Sequence, residues 1–166
     1  VRFIWCCSEE RGLLGSKAYV AAHEELLGKI GLCINVDMTG PLFGRDCARV
    51  TGEEGICRAI EFMYKEIGFP VSVWQDTYSS DCIPFADKGI PAVSFLRQAA
   101  DGLSHIHCRD DVITQVNAGS LARTVQFIEF FSDRVINSAI FPIERKMPDN
   151  MVEKINKYRG KKPETK

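Results

Sequence analysis

Cys7-Ser8-Glu9-Glu10-Arg11-Gly12-Leu13-Leu14-Gly15-Ser16 decides how this chain is read. It follows an almost wholly apolar run, residues 1–7, with the composition of a strand buried on both faces. Beyond it, Gly15-Ser16 offers a helix N-cap, and Tyr19, Ala22, Leu26 and Leu27 recur at helical spacing until Gly28. Two adjacent acids therefore stand between the end of a strand and the start of a helix. In open α/β sheets, ligands and catalytic groups gather at that place, outside the carboxyl ends of the strands. Neighbouring side chains in a turn point different ways, so one carboxylate can hold a cation while the other faces its water.

Working outward, residues 31–38 form a second near-continuous apolar run that reaches Asp37 and is broken by Thr39-Gly40-Pro41. Strand, loop, helix and strand make a βαβ unit, right-handed by default. Further strands are predicted over 48–51, 71–74 and 92–96. Helices are predicted over 53–67 (closed by Gly68), 83–88, 117–136 and 149–158. In the helix over 117–136, Leu121, Val125, Ile128, Phe131 and Val135 are expected to face the core. Trp5 and Trp74 are also placed in the core, and His23 on an exposed helix face. Residues 75–81 and 97–111 read as polar loops, the second long enough to point to function. The expected fold class is α/β, a sheet between layers of helices. A catalytic unit spans 1–136, and an extension over 137–166 carries one helix and a basic tail in which Lys161 and Lys162 face solvent.

Composition narrows the class. With 166 residues, 45 % apolar and 26 % charged, the chain has the balance of one globular domain. A net charge of -1 supplies no field to draw nucleic acid or an anionic membrane. No apolar run approaches the roughly 18 residues a membrane span needs, and no signal-peptide layout is visible. Seven cysteines stand at 6, 7, 33, 47, 57, 82 and 108 with no C-x-x-C pair, which argues against a thiolate zinc site or a redox motif. Reduced thiols in a cytoplasmic setting are the simpler reading, with a disulfide-bearing secreted protein as the alternative. The chain opens at Val1 directly in a strand pattern, which is the expectation for the later part of a longer domain.

Three candidate metal ligands fall on strand-end loops: Glu10, Asp37 and one of His105 or His107. Carboxylates and imidazole without thiolate suit catalytic zinc or a similar divalent ion. The two acids are 37 − 10 = 27 residues apart, one βαβ crossover, which sets neighbouring strand ends side by side. Glu9, next to a ligand, is placed to take a proton from water whose pKa a metal lowers to about 7.

At these residues the chain resembles the zinc aminopeptidase family M28. The matching segments are S-E-E-R-G-L-L-G-S at 8–16, I-N-V-D-M-T-G at 34–40, S-D-C-I-P-F at 80–85, G-I-P-A-V at 89–93 and I-H-C-R-D-D at 106–111. They follow the family's order over roughly 1–135. The resemblance implies a three-layer mixed sheet flanked by helices, of the phosphorylase/hydrolase-like type, here without its first strands. It also implies two zinc ions and a peptide substrate with a free N-terminus. Glu9 would be general base and acid, Glu10 and His107 ligands of one zinc, and Asp37 a ligand of the other. His107 is preferred to His105 because Asp111 stands where the family has an Asp after its ligand His. Asp81 matches a family Asp near the site, and Tyr78 is a candidate donor to the developing oxyanion.

The chain departs from the pattern in lacking the family's earlier H-x-D segment, which supplies a His and a bridging Asp. Cys82 stands where His is frequent, and Cys108 where Thr or Ser is usual. Two rival readings keep the fold: a single-zinc glutaminyl cyclase, and an inactive M28-like domain used in binding or assembly.

Overall fold

The computed structural model describes residues 1–100 and 104–160. Four strands form one mixed sheet: β1 (Cys33–Val36), β2 (Gly44–Thr51), β3 (Ser72–Gln75) and β4 (Ala92–Ala99), in the order β1-β4-β2-β3. β1 runs parallel to β4 and β2 parallel to β3, whereas β2 and β4 are antiparallel over eight residue pairs, from Gly44↔Ala99 to Thr51↔Ala92. Strand residues alternate between two faces, and each face has its own helices.

On one face, Ala48, Val50, Val93 and Phe95 pack against α3 (Glu54–Ile67) and α5 (Ala118–Ile136) through Ile56, Ile60, Tyr64, Phe127, Phe131 and Val135. Each valine, isoleucine or phenylalanine among them, fully removed from water, contributes roughly 1.5–3 kcal/mol. α3 follows its apolar stripe and stops where Gly68 enters the left-handed region at φ 69°, its N–H returning to the carbonyls of Lys65 and Tyr64. On the other face, α1 (Leu14–Ala22), α2 (Glu24–Leu27), α4 (Ile83–Ala86) and α6 (Asp149–Tyr158) gather Val20, Leu27, Phe85, Ile90, Cys82, Ala86, Ala92 and Ile155. The expected three layers, helices on both sides of a mixed sheet, are present. No helix among the described residues is long and apolar enough to cross a membrane.

Several local expectations are corrected. Residues 1–7 do not form a strand: they have no ladder partner among the described residues, and Val1, Phe3 and Trp5 are exposed, Trp5 at 84 %. Ile4 alone of the large apolar side chains there packs inward, against the cluster of Val20, Leu27, Phe85 and Ile90. The βαβ unit expected from this run is therefore not closed by hydrogen bonds, and Trp5 is not core. Nor is Ser16 an N-cap: the helix starts at Leu14, and buried Ser16 turns its hydroxyl back to the Leu13 carbonyl at 3.2 Å. His23 is half-buried, its ring stacked on Tyr19. Trp74 is half-buried under the guanidinium of Arg49, 4.2 Å from the ring centre.

In α5 the inward face carries Ser120, Thr124, Phe127, Phe131 and Val135, while Leu121 and Val125 lie outside. The cause is a buried ion pair that small polar residues must cover. Arg97 on β4 and Asp46 on β2 are cross-strand partners, both under 10 % exposed and 2.5 Å apart, and Thr124 donates to Asp46 at 2.9 Å. β4 accordingly runs on to Ala99, past the end expected at residue 96. After α5, Ile143 joins the first core cluster and Met151 is fully buried, so residues beyond 136 also pack on the fold. The tail at 161–166, with Lys161 and Lys162, lies outside the described residues, as do 101–103 of the long loop.

Candidate active site

Glu9, Glu10 and Arg11 make one turn of 3₁₀ helix, set between two residues in the left-handed region, Ser8 at φ 57° and Gly12 at φ 95°. Besides the bonds inside the turn, Leu13 N–H to Glu9 O (2.8 Å), Leu14 N–H to Ser8 O (3.3 Å) and Gly15 N–H to Cys7 O (2.9 Å) tie it to α1. Gly15 is required at the last of these, because a Cβ would sit 2.5 Å from Cys7 N and 2.7 Å from Cys7 O. The turn is thereby fastened across the head of α1.

Asp37 follows β1, its N–H bonded to Phe95 O at 3.1 Å, and the chain turns at Met38, φ 51°. His107 has φ 60° and faces Glu10, Nε2 to Oε1 at 3.0 Å, with both side chains mostly exposed. Among the described residues, the non-glycine positive-φ positions are Ser8, Leu13, Met38 and His107. Each is a candidate site residue or lies within four residues of one. Such conformations cost about 1–3 kcal/mol each and persist where the surroundings over-determine them, typically at functional sites.

Four carboxylates share this end of the sheet. Burial first, then the negative charges of Glu10, Asp37 and Asp81, hold the Glu9 carboxyl above its ordinary value, with His107 pulling the other way. Asp37 is likewise raised, mainly by burial and further by Glu10 and Asp81, against the opposing Met38 N–H and His107. Asp81 Oδ1 is buried with no partner, and the Cys6 thiol faces that carboxylate; burial above all, then Asp81, pushes Cys6 up to about 11. Tyr78 swings over the sheet so that its hydroxyl lies 3.9 Å from the sulfur of Met38. Burial and then Asp37 raise the Tyr78 phenol, while Arg49 lowers it.

Thus Glu9, Glu10, Asp37, His107, Asp81 and Tyr78 come to one region. Asp111 does not join them: its carboxylate is exposed and makes no bond among the described residues, while its N–H closes a turn on Cys108 O at 3.2 Å. His105 offers its carbonyl to the Cys108 thiol at 2.9 Å, which shapes the loop before His107. Cys82 is core, 2.9 Å from the Ser80 hydroxyl. All seven cysteines are free.

A profile of peptidase family M28 matches residues 1–131. The chain belongs to peptidase family M28. Among solved structures, it is similar to the LapA aminopeptidase of Legionella pneumophila, with 22 % identity and a TM-score of 0.70 over 83 % of this chain and 39 % of that one. The zinc aminopeptidase BSAP of Bacillus subtilis gives 21 % and 0.65, over 85 % and 37 %. A peptidase M28 precursor from Shewanella amazonensis gives 22 % and 0.68, over 87 % and 33 %. At such identities these likenesses establish the M28 fold, and the chain spans under two fifths of each structure's length. No curated protein matches it.

The donor set fits a divalent cation. No lysine or arginine among the described residues forms an ion pair with Glu9, Glu10, Asp37 or Asp81, and His107 is the side chain that pairs with Glu10 and opposes the raised Glu9 and Asp37 carboxyls. No three His, Cys, Asp or Glu side chains among the described residues are gathered into a ready-made cage. The convergent pair is Glu10 with His107, and Asp37 lies within electrostatic reach of both. In this M28 chain, sequence reading missed the buried Arg97–Asp46 pair, whose arginine bonds the turn that follows Asp37. Its two residues are 51 positions apart and give no local signal.

Proposed function

We propose that this M28 chain carries part of the active site of a zinc aminopeptidase, which removes residues from peptides with a free N-terminus. The carrying observation is the half-buried Glu9 carboxylate, raised by burial and by three neighbouring acids, beside the Glu10–His107 pair. Glu10 and His107 would hold one zinc ion and Asp37 would serve a second. Bound zinc supplies Lewis acidity and makes water acidic enough to be deprotonated near neutral pH.

Glu9 accepts a proton from the attacking water and returns it to the departing amine. A carboxylate held above its ordinary pKa is better matched to both tasks than an exposed one. The Tyr78 hydroxyl, next to Met38, donates a hydrogen bond where charge develops on the carbonyl oxygen. Asp81, whose Oδ1 is buried without a partner, attracts the substrate's terminal ammonium, which gives a reason to favour unblocked ends. The test is to compare a free and an N-acetylated peptide on the zinc-loaded protein, following release of the first residue by mass spectrometry. Release from the free peptide alone is expected. Equal cleavage of both, or of internal bonds, would refute the aminopeptidase reading, and cyclisation of an N-terminal glutamine would favour the single-zinc cyclase instead.

A further inference from the structure

The turn over residues 38–42 bridges the two halves of the candidate metal site. It leaves Asp37 at the strained Met38 and crosses over the end of β4 to reach β2. One residue of β4 holds it from beneath. The Arg97 N–H bonds Met38 O at 3.2 Å, while its guanidinium bonds Pro41 O through Nε at 2.7 Å and Leu42 O through Nη2 at 3.1 Å. The remaining arm, Nη1, takes Asp46 Oδ2 at 2.5 Å, and Thr124 of α5 donates to Asp46 Oδ1 at 2.9 Å. Arg123 stands 3.8 Å from the same carboxylate.

The far side of the turn reaches the segment that carries His107. Gly40 O accepts from Asn117 N at 2.8 Å, and Pro41 bridges to Val116. From His107 to Asn117 the chain is a succession of tight turns: Asp111 N–H to Cys108 O, Gln115 N–H to Val112 O and Val116 N–H to Ile113 O. Asn117 then caps α5 by accepting from Ser120 N at 2.9 Å, which leads back to Thr124. Arg97, Asp46, Thr124, Asn117, Gly40 and Pro41 therefore close a ring.

We propose that Arg97 is a positioning residue that sets the spacing of Asp37 and His107 by locking the turn at 38–42 between the sheet and the start of α5. This rests on the proposed metal site for its functional meaning. The physical case is that a buried guanidinium with every arm engaged fixes several carbonyls at once. A lysine keeps the charge opposite Asp46 but has one nitrogen and cannot span all three acceptors.

The test is Arg97→Lys, read in two ways. In metal-free protein, amide exchange by NMR should speed at least 10-fold at Asn117 and residue 97, while the Asp76 amide, bonded to Val50 O outside the ring, stays within about threefold. Zinc affinity of the folded variant, measured by chelator competition, should fall about 10-fold or more, as it does when groups that orient a ligand are removed. A role in stability alone would speed all three amides together and leave zinc affinity untouched; either result overturns the proposal. Should Arg97→Lys fail to fold, Thr124→Val removes a single bond of the ring and is expected to show the same pattern severalfold. Unchanged exchange at Asn117 there would also overturn it. A wild-type protein that takes up no zinc would defeat the proposed function, while the exchange pattern would still decide the ring.

Discussion

Replacing Gly15 by alanine tests whether the Glu9–Glu10 turn is held by the head of α1. The new Cβ would lie 2.5 Å from Cys7 N and 2.7 Å from Cys7 O. Non-bonded heavy atoms sit best at about 3.5 Å or more, so the segment before Glu9 must retreat by about 1 Å. The Gly15–Cys7 hydrogen bond, 2.9 Å in the native turn, would then stretch beyond bonding range. Losing that bond costs about 1 kcal/mol, and the steric rearrangement about 1–3 kcal/mol more. At roughly 2–4 °C per kcal/mol for a chain of this size, a melting temperature about 4–16 °C below wild type is expected by calorimetry. Zinc affinity should fall together with it, because both acids ride on the displaced turn. Gly28→Ala is the control: its Cβ meets nothing within 4 Å, and its φ of -61° suits any residue. That variant should melt with wild type or slightly above. If Gly15→Ala melted with wild type and bound zinc equally well, the proposed anchoring of the turn would be wrong.

Glu9→Gln should lower turnover by roughly 10²–10⁴-fold while zinc content by elemental analysis stays at the wild-type level. Asp76 offers a pH test. Burial raises its carboxyl, but Lys154, the Thr77 N–H and Arg49 together outweigh that and hold it below the ordinary value. Its contribution is therefore complete above the unfolded pKa of about 4 and is lost as pH falls through the lower folded value. The side chain is 40 % exposed, so the effect is at most about 1 kcal/mol. Asp76→Asn should flatten the acid limb of stability measured by urea unfolding, and an unchanged limb would contradict the assignment. Phe127→Ala, at the centre of the α3–α5 face and stacked on Phe69, should cost about 3–5 kcal/mol; a loss under about 1 kcal/mol in urea unfolding would mean that face is misread.

How much could be read from the chain differs by element. The α3 stripe and its Gly68 stop were legible because both are local: apolar spacing and a glycine at a left-handed position. Residues 1–7 were not, because their composition is that of a strand but a strand needs a hydrogen-bonded neighbour, and here there is none among the described residues. The α5 face was misjudged for a different reason. Hydropathy favours Leu121 and Val125 for the interior, yet Ser120 and Thr124 take it, and Thr124 serves a buried aspartate 78 residues away. At the site, Glu9, Glu10, Asp37 and His107 stand in short motifs that can be read in order. The left-handed turns at Ser8, Met38 and His107 cannot, because those residue types do not announce positive φ as glycine does. Arg97 was read as the start of a polar loop. In the fold it ends up inside the sheet, paired with an acid on the antiparallel neighbour.

Glu10 and His107, 3.0 Å apart beside Asp37, are proposed to be metal ligands and not a surface ion pair. The most direct test is zinc per chain, by elemental analysis after incubation with zinc and removal of excess, for wild type, Glu10→Ala and His107→Ala. Stoichiometric zinc is expected in wild type and its loss in both variants, with their melting temperatures close to that of metal-free wild type. Zinc retained in full by both variants would contradict that proposal, as would a wild-type protein that takes up none.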